Sequence, residues 1–314
     1  MCSTSQKRAL VSKAHRRSRV GRQDVYTRSD LRHLRQAVAS TGPDTALEIL
    51  IAVAHDVKVG APISEIVEAD DDQLGHAIAG AILRQQAFIA RGAMVAAMTP
   101  SSKFRAYESI GDRAYFHLAK ALELRPDDPL SLGVLASFAV EENREGKAAS
   151  EALVCRSPQV PASSYCDVLQ AWSAKWGGSQ DEMWQCLKRL WRDDDPRSWA
   201  MLARAHFEEW LDRTYLRPAG NYATVSGAQS ASMSLNEASD RALATVEDAG
   251  KPGLMRFVHG WLGRVYWDRR NLKRAKRHLM KTRSHMDPTI WIYGTIFMNA
   301  DQRFRLAKLQ CGIF

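Results

Sequence analysis

The side chains that could do chemistry in this chain are few, and their spacing suits none of the common reactions. His206 and Glu209 form an H-x-x-E pair, but no H-E-x-x-H and no third ligand accompany it, so a zinc helix is not indicated. His278 and His285 lie seven apart among Lys and Arg side chains that would repel a cation. Glu208 and Glu209 are adjacent, and neighbours on a helix point apart, which argues against a paired acid and base. Neither a G-x-x-x-x-G-K-[ST] phosphate loop nor a G-x-S-x-G elbow occurs. The five cysteines (Cys2, Cys155, Cys166, Cys186 and Cys311) include no C-x-x-C and are odd in number. Buried reduced thiols fit that pattern better than a disulfide framework. Cys155, Cys166 and Cys186 fall on expected apolar faces. The expectation is a protein with no catalytic residue, no metal and no cofactor.

Binding chemistry is better represented. All nine tryptophans lie between Trp172 and Trp291. Trp172 and Trp176 are four apart and Trp184 and Trp191 seven apart, spacings that share a helix face. Such aromatics either pack between helices or, where they face a groove, anchor a partner. Trp172, Trp176, Trp199 and Tyr222 are the aromatic candidates. Residues 268–283 hold Arg269, Arg270, Lys273, Arg274, Lys276, Arg277, Lys281 and Arg283 around a stripe of Leu272, Ala275 and Leu279. The stripe would be buried and the cations outward. Arg270, Lys273, Arg274, Arg277 and Lys281 are the basic candidates, for phosphate or for an acidic protein. A solvated outer face is the plainer alternative.

Charge is uneven along the chain. The 314 residues carry a formal net charge of +9. Residues 1–23 hold seven Lys/Arg and no acid, and residues 251–314 hold fourteen Lys/Arg against three Asp, leaving the middle at about −9. That distribution weakens any argument from overall basicity. No apolar run reaches membrane-spanning length. The N-terminus lacks the apolar block of a secretory signal, although its Arg and Ser content slightly resembles an organelle transit peptide.

The elements that must position these residues show a repeat. Pro129, Pro161, Pro196, Pro252 and Pro288 are spaced by 32, 35, 56 and 36, the long interval being one repeat of 34 plus an insertion of about 22. Asp128-Pro129, Asp195-Pro196 and Asp287-Pro288 each suit a helix start, with Asp as cap and Pro in the first turn. Thr45 with Glu48, Ser179 with Glu182 and Ser234 with Glu237 fit the S/T-x-x-E capping box. Apolar stripes follow the prolines: Leu132, Leu135, Ala136 and Ala139, then Ala148 and Ala152; Trp199, Leu202, Ala203 and Phe207; Leu262, Gly263 and Tyr266, then Ala275 and Leu279. Small residues at 136, 203 and 263 would let helices approach closely.

This pattern resembles the tetratricopeptide repeat. Lys175-Trp176-Gly177-Gly178-Ser179, with Glu182 and Met183, is also similar to a bacterial family known only as a domain of unknown function, which has such helices and a WGGS turn. Ala90-Arg91-Gly92, Leu118-Ala119-Lys120-Ala121 and Ala203-Arg204-Ala205-His206-Phe207-Glu208 extend that resemblance over roughly residues 80–245. It implies helical repeats in a bacterial cytoplasmic protein and supplies no catalytic residues. Within the turn itself, the glycines permit a reversal and Ser179 caps the next helix.

The expected fold is all-α, a tetratricopeptide-like solenoid of stacked antiparallel hairpins. A basic disordered tail at 1–28 precedes a single domain at 29–314. Helices are expected near 29–40, 44–58, 71–91 and 104–124, hairpins at 129–156, 163–191, 196–249 and 252–285, and a last helix near 288–308. Loops at 92–103 and 213–233 are candidate variable binding elements. The function this implies is a non-enzymatic scaffold holding a protein or peptide in the groove of the array. The alternative is nucleic-acid binding through the basic helix 268–283 and the tail, with no membrane partner.

Overall fold

A computed structural model describes residues 28–56, 71–92, 99–216, 234–245, 252–282, 288–291 and 300–313. Among them no strand occurs, and no helix is long and apolar enough to cross a membrane. The helices are α1 (Arg28–Ala39), α2 (Pro43–Asp56), α3 (Gln73–Arg91), α4 (Ser101–Leu124), α5 (Pro129–Ala136), α6 (Arg144–Cys155) and α7 (Ala162–Ala171). There follow α8 (Gln180–Leu190), α9 (Pro196–Leu211), α10 (Leu235–Ala244), α11 (Pro252–Asp268), α12 (Leu272–Thr282), α13 (Pro288–Trp291) and α14 (Ala300–Gln310). The tail and most of the 213–233 insertion lie outside the described residues. The chain divides into two compact units, one of Met1–Leu135 with Arg156–Pro161, the other of Ala136–Cys155 with Ala162–Phe314.

In the first unit α1, α2 and α3 pack together, and α4 packs on α3. Gly80 lets α3 and α4 approach closely, since a Cβ there would meet Leu118 Cγ at 2.6 Å. Asp72 caps α3 by accepting from the Gly75 amide and also pairs with Arg35 of α1. Arg84 is fully buried on α3, its guanidinium 4.4 Å from the Phe88 ring centre. Asp128 caps α5 through the Ser131 amide at 2.8 Å. Thr45 is not a cap. Helix α2 begins earlier, at Pro43, whose fixed φ suits a first turn.

In the second unit the first helix of each hairpin rests on the next. The 3-10 turn Ser137–Glu141 packs on α7, α7 on α9, α9 on α11, and α11 on α13. Their partners α6, α8, α10 and α12 each return against their own first helix or turn. Two expected caps hold: Ser179 accepts from the Glu182 amide and Ser234 from the Glu237 amide, both at 3.1 Å. Asp195 likewise caps α9. The expected stripe of α6 is wrong by one position. Ala148 and Ala152 are exposed, and Lys147, Ser150 and Val154 are buried. Lys147 decides that register, because its Nζ reaches inward to donate to the Trp176 carbonyl at 2.7 Å.

The WGGS segment is a turn built by close approach. Trp172 and Trp176 do not share a helix, because α7 ends at Ala171 and a 3-10 turn covers Ala174–Trp176. Gly177 has φ +79°, the left-handed region that favours glycine. Gly178 lies against the chain, and a Cβ there would fall 2.0 Å from the Trp172 carbonyl oxygen.

What ties α9, α11 and α13 together is a ladder of buried cations and rings. Arg204 and Arg264 are 3% and 1% exposed. Each pairs with the acid one turn on, Arg204 with Glu208 at 2.6 Å and Arg264 with Asp268 at 2.7 Å. Lys175 adds a second cation to Glu208 at 2.9 Å. Across the helices, Arg204 lies 4.5 Å from the Trp261 ring centre, and Arg264 lies 4.9 Å from Phe207 and 5.1 Å from Trp291. Arg264 also donates to the Ile290 carbonyl, and Arg303 of α14 to that of Trp291. The segments Leu202-Ala203-Arg204 to Phe207-Glu208 and Leu262-Gly263-Arg264 to Trp267-Asp268 are thus copies, 60 residues apart. Counting from the prolines gave 56, because α11 starts one turn further from its motif than α9 does.

Two consequences are measurable by urea unfolding. Gly178→Ala should cost about 3 kcal/mol and Gly177→Ala about 1 kcal/mol, since the first meets backbone and the second only an unfavourable φ. Arg264→Met alone should cost about 3–5 kcal/mol by stranding Asp268, while the joint change Arg264→Met with Asp268→Leu recovers most of it.

Candidate functional site

Helix α12 carries the candidate surface. Asn271 caps it by accepting from the Arg274 amide. Ala275, His278, Leu279 and Thr282 are buried, a 3-4 spaced stripe. The stripe sits on α11 where Gly263 leaves room, since a Cβ there would meet Leu279 Cδ2 at 2.8 Å. Leu272, expected in the stripe, is only half-buried at the helix start.

A polar chain running from the surface into the seat fixes the helix to α10 and α11. Arg274 donates to Asp240 of α10 at 2.8 Å and to Ser239 Oγ at 3.1 Å. Ser239 Oγ lies 2.8 Å from His278 Nε2, and His278 Nδ1 lies 2.9 Å from His259 Nδ1. Arg274 can only donate, so we assign the Ser239 hydrogen to His278 Nε2 and the His278 proton to Nδ1, pointing at His259. Both imidazoles are then neutral. Burial, followed by the positive charge of Lys281, lowers His259 to about 4. Burial, with His259, Arg277 and Arg274 nearby, lowers His278 to about 2. The Tyr266 ring stacks on His278, their centres 5.9 Å apart.

The structure sorts the basic candidates into two groups. Arg274 is engaged with α10, as above. Lys276 donates to the Gly312 carbonyl, and Arg269 reaches back to His206 Nδ1 at 3.0 Å. Lys273, Arg277 and Lys281 are exposed at successive turns of α12, with no carboxylate in ion-pair range among the described residues. Arg270 is exposed in the turn before them, with φ 59°. Arg283 and His285 lie outside the described residues.

The aromatic candidates are not gathered with this face. Trp172 and Trp199 are buried at 8% and 5% exposure, Trp176 is half-buried in its turn, and Tyr222 lies outside the described residues. Arg189 and Lys147 lie over the Trp172 ring. The H-x-x-E pair is a structural contact: His206 packs edge-on to Trp184, accepts from Arg269 and lies 3.8 Å from Glu209. Among the described residues no group of three His, Cys, Asp or Glu could hold a metal. Cys166, Cys186 and Cys311 are buried as expected, but Cys155 at the end of α6 is exposed. Burial pushes the Cys186 thiol well up. Against known families, curated proteins and solved structures, the chain matches no family model, no curated protein and no solved structure.

His259, Ser239 and the paired arginines of the ladder escaped sequence reasoning. A signal existed for His278, which is three residues after Ala275 and next to Leu279, and so falls on the buried stripe.

The neutral histidines set a pH dependence. Both have folded values below 6.5, so the unfolded chain binds more protons under acid and the stability they contribute is complete above pH 6.5. It declines as pH falls from 6.5 through about 4. Urea unfolding of the native protein should show that decline, and His259→Gln with His278→Gln should flatten its slope by about two protons. An unchanged slope would contradict the assignment.

Proposed function

We propose that the second unit is a tetratricopeptide-like array of antiparallel hairpins, and that the chain is a non-enzymatic scaffold for a partner protein. The observation that carries the reading is the order of packing: turn 137–141, α7, α9, α11 and α13 each rest on the next, with their second helices returning beside them. Hairpins stacked in this way share one core and present neighbouring side chains along a common surface. The strongly shifted groups His259, His278 and Cys186 lie inside the packing, where they fix helices. Affinity capture with the full chain, then calorimetry with each captured protein after purification, tests this. A stoichiometric partner at micromolar affinity or tighter is expected. Absence of any stoichiometric partner, or turnover of a substrate by the purified chain, would contradict it.

The exposed row on α12 favours a second reading, nucleic acid held by its phosphates. Three phosphate contacts would give a slope of about −3 in log affinity against log salt. Lys273→Glu, Arg277→Glu and Lys281→Glu together should remove such binding.

A further inference from the structure

We propose that the outer face of α12 is the docking site for an acidic amphipathic helix of the partner protein, an inference that rests on the scaffold reading. Lys273, Arg277 and Lys281 stand four residues apart, so their stems rise about 6 Å from one to the next along the helix. No acid occurs from Leu272 to Thr282. A partner helix with Glu at every fourth position repeats the same rise, and its carboxylates fall into register with the three cations.

The apolar side chains identify the partner as a protein. Met280 is 58% exposed on α12 and Leu309 60% exposed on α14. Among the described residues of this unit they are the large apolar side chains left open to solvent. Met280 follows Arg277 by three residues and Lys273 by seven, which sets it on the basic face. It also follows Lys276 by one turn, and Lys276 is bonded to Gly312 just beyond α14. Methionine adapts its shape to an incoming apolar surface. An apolar spot within a charged rim is the anatomy of a protein interface. A phosphate backbone would satisfy the cations and leave the thioether wet.

Arg270 adds an independent mark. It occupies the left-handed position that ends α11, with the Asn271 amide bonded back to the Tyr266 carbonyl at 2.9 Å. Glycine is the ordinary residue in that place, and an L side chain there is strained. An arginine held there despite the strain sets a fourth exposed cation just before the start of α12. The seat beneath is tied down, because His278 binds α12 to α10 and α11 from inside and Arg274 binds it to α10 at the surface. The face is therefore presented in one orientation, which lowers the ordering cost of docking.

The probe is a fluorescein-labelled synthetic helix with Glu at three positions four apart and Leu three and seven residues after the first. Its controls are a scrambled peptide of the same composition, a 20-base-pair duplex and vesicles of phosphatidylserine. Fluorescence anisotropy and co-sedimentation with the full chain should show the ordered peptide binding at least tenfold tighter than its scramble. Binding should drop at least tenfold in the variant Lys273→Glu, Arg277→Glu, Lys281→Glu, and several-fold in Met280→Ser. Arg270→Gly should weaken binding while raising the urea midpoint, an outcome that misfolding cannot imitate. Equal binding of ordered and scrambled peptides, or full binding by the triple variant, would overturn the proposal. So would duplex or vesicle binding that is tighter than peptide binding and indifferent to Met280→Ser. If the triple variant still holds the captured native partner, only this face is wrong and the scaffold stands; if no partner is captured at all, the scaffold reading fails first.

Discussion

A guanidinium cannot be left uncompensated inside a helical core, and the described residues of the second unit enclose three, Arg204, Arg264 and Arg303. Desolvating an isolated charge costs far more than one hydrogen bond returns. Arg204 and Arg264 each have a carboxylate one turn on and aromatic rings from neighbouring helices against their faces, and Arg264 also donates to the Ile290 carbonyl. The compensation depends on order. Arg264 of α11 needs Phe207 from the helix before it, and Trp291 and the Ile290 carbonyl from the helix after it. Swapping or omitting a helix would leave a buried cation partly unsatisfied, so the polar ladder selects one sequence of neighbours where apolar packing alone would accept several.

The same logic operates one layer out. Helix α12 is the second helix of its hairpin; His278 is buried on its inner side, and Arg274 reaches over the edge to α10. Ser239, Asp240 and His259 satisfy them from α10 and α11. Among the described residues the outward cations Lys273, Arg277 and Lys281 have no carboxylate in ion-pair range, whereas Arg274 has Asp240. Charge on α12 is therefore divided by geometry into a structural set and a free set, which composition alone does not reveal.

Features that depend on a few adjacent residues were legible in the sequence. Asp128 and Asp195 before proline, Ser179 and Ser234 before Glu, and the glycines after Trp176 all act where they stand. Helix positions followed from periodicity, and Gly263 marked a true close approach. What was hidden depends on partners far along the chain. Nothing in the local spacing marks Arg204 and Arg264 as buried; the rings of adjacent helices enclose them. His259 and His278 gain meaning only from each other, nineteen residues apart. The α6 register failed because an amphipathic lysine can bury its stem, so Lys147 took the inner position that alanine spacing assigned to Ala148. Trp172 and Trp176 looked like one helical face because spacing carries no information about where a helix stops.

The most direct test of the ladder is a double-mutant cycle across α9 and α11, with Arg204→Met, Trp261→Leu and both together, read by urea unfolding. The cation lies 4.5 Å from that ring in a site closed to water. A coupling of about 1–2 kcal/mol is predicted. Additive losses, with no coupling, would mean that the two helices are not held to each other through this contact and would contradict the account.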